Sequence, residues 1–168
     1  MVTSVSLEKA PVIVIESVDS LRALAGSEVA VSEWMPVEQA RIDRFAEASG
    51  DHQWIHVAPE RAARESPYGG TIAHGFLTLS LLSQFLHASI EFRGELGRAI
   101  KMSINYGLNR VRFPAAVRSG SKIRARFTLQ SCEDIAGGIQ NTWLAIVEQE
   151  GSPKPCMAAE WVVRSYFS

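Results

Sequence analysis

With 168 residues the chain is long enough for one domain with a substantial core, and too short for two of ordinary size. Its 46% apolar and 21% charged residues are those of a soluble globular protein, and a formal charge of −1 offers no electrostatic footprint for nucleic acid. No membrane segment is expected: Ser4 to Pro11 has no basic start ahead of an apolar stretch, and Val12 to Ile15 is far too short to span a bilayer.

In chain order, residues 1–19 read as an irregular leader, and Asp19 to Gly26 as a short capped helix closed by glycine. Residues 1–26 are therefore taken as a leader and 27–168 as one domain. Glu28 to Trp34 alternates loosely and predicts a first strand. Pro36 suits a first helical turn, and Ile42, Phe45, Ala46 and Ser49 follow helical spacing up to Gly50, a natural stop. From Gly50 to Pro59 the chain should be non-helical, with a second short helix from Pro59 to Glu65. His74 to about Ile90 predicts a helix apolar around nearly its whole circumference, through Phe76, Leu77, Leu79, Leu81, Leu82, Phe85 and Leu86, and hence buried.

After Gly97 the apolar period changes from 3.6 to 2. Ile100, Met102, Ile104, Tyr106 and Leu108 alternate with polar residues or glycine, and the phase slips before Val111, which predicts a bulge near Asn109-Arg110. Strands follow at Ser121 to Cys132, Ile139 to Glu148 and Cys156 to Tyr166, with turns at Gly137-Gly138 and Gly151-Ser152-Pro153. One helix followed by four strands predicts an α+β fold, an antiparallel sheet wrapped around one long buried helix. The sheet still needs cover at its edges, so a homodimer is expected. Cys132 and Cys156 lack metal-type spacing and fit a reduced, cytoplasmic protein.

Chemistry concentrates in Asp51 to His56 and Ile72 to Leu77. Residues five apart diverge by about 140° on a helix, so Asp51 and His56 can converge only across a loop. A carboxylate, an imidazole and the N-terminus of a greasy helix at Gly75 are the parts needed to add water to an activated acyl group. Each has a plainer reading: an Asx turn at Asp51, a satisfied loop histidine at His56, a helix-start hydrogen bond at His74. His52 reads as a solvated neighbour. His52 and His56 stand at His-x-x-x-His spacing, but in a segment expected to be non-helical and with no thiolate nearby, so no metal is expected at Asp51, His52, His56 and His74. Arg93, Arg98, Arg110, Arg112 and Lys122 could meet phosphates or simply solvate a strand edge.

Asp51-His52-Gln53-Trp54-Ile55-His56, Ile72-Ala73-His74-Gly75-Phe76-Leu77, Asn105-Tyr106-Gly107 and Arg110-Val111-Arg112-Phe113-Pro114 together resemble the MaoC-like (R)-specific enoyl-CoA hydratases, and within them the NodN-like branch, over residues 27–165. The resemblance implies a hot dog fold and a cofactor-free hydro-lyase, with coenzyme A only as part of the substrate. It also implies that Asp51 and His56 activate water, that the Gly75 N–H holds the thioester oxygen, and that Ser83, with Ser80 as rival, supports the site. His74 is a further candidate for substrate binding. Gln53-Trp54 and Ala58 depart from the common Asp-x-Asn-Pro-x-His pattern and its following aspartate, and Trp54 is expected to reshape the acyl pocket. A hot dog thioesterase, with Asp51 as base or nucleophile, and a non-catalytic acyl-thioester-binding module are the alternatives.

Overall fold

In the computed structural model, which describes residues 10–168, the period-two half of the sequence becomes a curved sheet and the apolar helix runs across it. Readings that fall on residues 1–9 lie outside the described residues. The elements in order are β1 (Ile13–Ile15), α1 (Val18–Arg22), β2 (Glu28–Val31), β3 (Met35–Pro36), α2 (Gln39–Ser49), α3 (Trp54–Val57), α4 (Pro59–Glu65), α5 (Gly75–Ser80) and α6 (Leu82–Ser89). They continue with β4 (Ile90–Phe92), α7 (Gly94–Ala99), β5 (Ile100–Arg112), β6 (Lys122–Ile135), β7 (Gly138–Gln149) and β8 (Met157–Phe167). The main sheet has the order β2-β6-β7-β8-β5, antiparallel throughout, with β3 continuing along β6.

Alternation decides which side of this sheet is core. On β6, Ile123, Ala125, Phe127 and Leu129 are all fully buried, and on β7 Ile139, Trp143, Ala145 and Val147 are nearly so. They meet Leu77, Leu81, Leu82, Phe85 and Leu86 from the helical layer, all in one hydrophobic cluster. Burying each such side chain contributes about 1.5–3 kcal/mol, so the helix and two central strands dominate the stability.

Several expectations need correction. The segment read as irregular leader contains β1, which pairs in parallel with β4 (Ile13 opposite Ile90), and Ile15 and Leu21 belong to the same core. A capping box between Ser17 and Ser20 starts α1 at Val18, ahead of the expected Asp19, and the helix ends at Arg22. Pro36 lies in β3 opposite Lys122 rather than in a helix; a short edge segment tolerates a residue without an N–H. Between Gly50 and Pro59 the chain is not wholly irregular, since α3 supplies one helical turn.

The long helix is also less uniform than its composition suggests. It is interrupted at Leu81, whose N–H is shared between the Leu77 and Thr78 carbonyls, while the Ser80 hydroxyl donates to the Leu77 carbonyl at 2.7 Å. Such back-bonding from serine competes with the helical ladder and bends it. Nor is it buried all round, because Phe76 is 71% exposed.

The expected bulge on β5 is present, as a register shift between Leu108 and Arg110, and a second shift lies between Asn105 and Gly107. The side chains of β5 are arranged opposite to what hydropathy suggests. Ser103 stands directly opposite Ser165, which is 1% exposed, and their hydroxyls meet at 2.7 Å, so the polar members of this strand face the helix. Met102 and Tyr106 are 52% and 55% exposed. As an edge strand pairing only with β8, β5 bares an apolar flank.

Cys132 pairs in register with Asn141, whereas Cys156 bonds to Val147, six residues further along β7. At about 3.4 Å per residue this puts the two thiols some 20 Å apart along the sheet. Both are free.

Candidate active site

Gly50 ends α2 in the left-handed conformation, φ 78°, with its N–H on the Ala46 carbonyl. That turn throws the chain away from the helix axis and leaves Asp51 exposed just beyond a rigid element. The Asp51 carboxylate accepts from the Gln53 N–H at 3.3 Å, an Asx turn that starts α3. His56 then lies on the inner side of the α3 turn, 6% exposed. Gln39, from the first turn of α2, fixes this turn from behind. Its amide donates to the His56 carbonyl at 2.7 Å, and its oxygen accepts from the Thr71 hydroxyl at 2.5 Å.

The proton positions on both imidazoles follow from main-chain partners. His56 Nδ1 is 2.6 Å from the Ile72 carbonyl, which can only accept, so Nδ1 carries the proton and Nε2 presents a lone pair. His74, 3% exposed, donates from Nε2 to the Asp51 carbonyl at 2.9 Å. Its Nδ1 is buried without a partner. The two rings stack at 3.8 Å with 26° between their planes, and Phe45 packs on His74 at 5.0 Å. His74 thus locks the Asp51 backbone to the back of His56. The Asp51 carboxylate and the ring nitrogens of His56 and His74 all come within 4.8 Å of one another.

These three residues are also the group best placed to hold a metal among the described residues. A shared ion would have to lie in both ring planes at once, and stacked rings direct their lone pairs side by side instead of toward one point.

Burial pushes the His56 pKa below the ordinary value of 6.5. The Ile72 hydrogen bond opposes that shift, His74 adds to it, and Asp51 opposes it. The ring is therefore neutral at neutral pH. Stability from burying it uncharged is complete above 6.5 and is lost as pH falls through the lower folded value, because the unfolded chain takes up the proton first. The expected outcome is a kcat/KM profile whose acid limb falls below pH 6.5. An acid limb above 6.5 would contradict this environment.

His56 and Gly75 line one cleft of about 470 Å³, walled by Thr78 and by the Phe113 to Val117 segment. Gly75 is the first residue of α5, so its N–H has no intrahelical acceptor and points off the helix end. Packing is tight here: a Cβ at Gly75 would come within 3.1 Å of the Phe113 ring, which would have to shift by a few tenths of an ångström.

Other expected residues are placed differently. Ser83 lies on α6, away from this cleft, and lines a separate hollow further along the helix with Asn105 and Trp161. Ser80 spends its hydroxyl on Leu77. Trp54 does not reshape the cleft, because it packs beneath the Arg61 guanidinium at 4.4 Å. His52 sits 3.8 Å from Glu47 on the surface. Arg93 pairs with Glu91 and Lys122 with Glu150, whereas Arg112 adjoins the Phe113 wall. Gln39 and Thr71 lie outside every motif, and Ile72 and Phe113 stand within motifs that assign them no role. No motif marks a residue that works through a main-chain oxygen or an amide bridge.

An antiparallel sheet around a central helix, with a neutral imidazole lining a cleft beside a helix-opening glycine and a carboxylate close to that imidazole, defines a hot dog domain. Residues 21–150 match the MaoC like domain family, and the chain belongs to it. It is 50% identical over 150 residues to the 3-hydroxyacyl-thioester dehydratase Z of Mycobacterium tuberculosis, covering 89% of this chain and 95% of that one. It is likewise 50% identical over 144 residues to nodulation protein N of Rhizobium leguminosarum bv. viciae, covering 84% and 86%. Among solved structures, the unliganded (R)-hydratase of Pseudomonas aeruginosa superimposes with a TM-score of 0.65 at 18% identity, covering 86% of this chain and 83% of that one.

Proposed function

We propose that this protein is a hydro-lyase that adds water across the double bond of a 2-enoyl thioester to give the (R)-3-hydroxyacyl thioester, or runs the reverse dehydration. The observation that carries this reading is the Asp51–His56 pair, brought together where His56 and Gly75 share a cleft. It is supported by the relative named as a 3-hydroxyacyl-thioester dehydratase.

In the hydration direction a water bound between the His56 Nε2 lone pair and the Asp51 carboxylate loses a proton to this pair as its oxygen attacks C3. The electrons of the double bond move toward the thioester carbonyl, whose oxygen gains negative charge and is held by the Gly75 N–H. The pair then returns a proton to C2. Positioned proton transfer of this kind contributes typically about 10²–10⁴-fold. His74 acts as a positioning residue, holding the Asp51 main chain and the plane of His56. No cofactor enters the scheme, and coenzyme A or a carrier pantetheine would belong to the substrate. Ser83 is too far down the helix to join the reacting atoms and instead serves the acyl chain.

We place the reaction in the cytoplasm, in keeping with two unpaired thiols, and assign a homodimer built on the bared flank of β5. A sedimentation mass of one chain would overturn the dimer. The described residues contain no helix long and apolar enough to cross a membrane.

Crotonyl-CoA separates the reaction classes in one assay. Loss of the enoyl absorbance without release of free thiol is expected. Thiol release would make the protein a thioesterase, and absence of both, across a panel of chain lengths, would leave an acyl-thioester-binding module.

A further inference from the structure

Three openings follow one another along the helical layer: the cleft at Gly75 and Thr78, a hollow at Leu79 to Ser83, and a cavity of about 360 Å³ beneath the C-terminal half of α6. The hollow and the far cavity are contiguous, sharing Ser83, Asn105 and Trp161. From Gly75 to Leu86 the path covers about 16 Å of helix at 1.5 Å per residue. Its walls are apolar and aromatic, including Leu86, Trp143 and Trp161. The floor of the far cavity is polar. Asn141 lines it at 2% exposure, and its side-chain oxygen is buried with no hydrogen-bond partner. Ser103 and Ser165 sit beside it, bonded to each other through their hydroxyls at 2.7 Å.

The reversed polarity of β5 creates this floor. Val163 is flanked in register by Asn141 on β7 and by Asn105 on β5, and Ser165 by Ser103, so the polar groups converge on the helix-facing side of the sheet. Leaving an acceptor buried and unpaired is costly, and native interiors rarely do so without a partner in use. Of the two serine hydroxyl protons, one is used between the serines and the other is free to donate. The floor therefore offers one unfilled acceptor and one spare donor, the complement of a hydroxyl group.

Building on the hydratase reading, we propose that the far cavity is a subsite for an acyl chain hydroxylated near its distal end. The substrate hydroxyl donates to the Asn141 oxygen and accepts from the Ser103–Ser165 pair. A purely aliphatic chain of the same length would fill the aromatic walls and leave the Asn141 acceptor unpaired.

The test compares trans-2-octenoyl-, trans-2-decenoyl- and trans-2-dodecenoyl-CoA with their ω-hydroxylated analogues. In the native protein the hydroxyl should raise kcat/KM at least about tenfold at one of these lengths, the scale expected for satisfying a buried acceptor. Asn141→Leu should abolish that preference, and Ser165→Ala should weaken it. The melting transition of each variant establishes that it is folded, and Ser165→Ala keeps the test alive if Asn141→Leu does not fold. No hydroxyl preference at any length, or a preference that survives in folded Asn141→Leu, overturns the subsite. Calorimetric binding of dodecanoyl-CoA and ω-hydroxydodecanoyl-CoA reads the subsite without turnover. A protein that prefers the hydroxylated ligand yet hydrates nothing would refute the hydratase reading alone.

Discussion

Asp51→Asn lowers turnover of a 2-enoyl thioester by at least about a hundredfold, the scale of a lost general acid–base group, while the melting temperature stays close to that of the native chain. The separation of the two effects follows from what Asp51 does with each part of itself. Its main-chain carbonyl, which holds His74, is untouched by the substitution, and an amide oxygen can still accept from the Gln53 N–H. Only the charge and the second acceptor are lost, on an exposed side chain close to His56. His56→Ala should cost turnover similarly, but it also removes a buried hydrogen bond to Ile72 and the ring stacked on His74. A net loss of about 1 kcal/mol for that bond corresponds to roughly 2–4 °C in Tm for a chain of this size. If both groups act on one water, the double variant should be hardly slower than either single one. Near-normal turnover in Asp51→Asn sinks the acid–base assignment.

Gly138→Ala should be among the most damaging single-atom additions to the fold. A Cβ at Gly138 would lie 2.0 Å from the Ser165 main-chain oxygen, in a strand held on one side by β6 and on the other by β8. No side chain can turn aside to relieve that clash, since the atoms in the way are backbone. Destabilisation of about 3 kcal/mol or more is expected, at or above the upper end of ordinary overpacking, or roughly 6–12 °C in Tm. Gly137→Ala makes the informative comparison. Gly137 has φ 77° with open space around its Cβ position, so it carries only the backbone cost of about 1–2 kcal/mol. Equal losses in a thermal or urea titration would show that the Ser165 contact is not the cause.

The sequence conveyed best whatever repeats with a clear period or ends on a clear stop. The sequence pattern reaches the limits of α4, the Gly50 stop of α2 and the ends of β6, β7 and β8 to within a few residues, because alternation, Pro59 and the turn glycines mark them directly. Three kinds of feature were not legible. The short elements β1, β3, β4 and α7 are set by tertiary context, since two to six residues carry too little of a period. The facing of β5 was hidden because hydropathy shows an apolar row but not which side of the sheet it occupies; only the opposition of Ser103 and Ser165 decides that. At the site, the spacing of Asp51, His56 and Gly75 was visible, yet their arrangement depends on Gln39 bridging to the His56 and Thr71 backbone neighbourhoods and on Phe113 closing over Gly75. These partners lie at sequence separations where no local pattern operates. Ser83, matched only through the family resemblance, lines the hollow with Asn105 and Trp161 and not the cleft at Gly75.

Both imidazoles take their tautomer from peptide oxygens, Ile72 for one and Asp51 for the other. A peptide carbonyl survives every amino-acid replacement at its position, so exchanging the Ile72 side chain leaves the His56 ring proton where it is. Protein engineers could therefore recut the cleft wall at Ile72 without resetting the His56 tautomer, provided the turn that presents that carbonyl keeps its path.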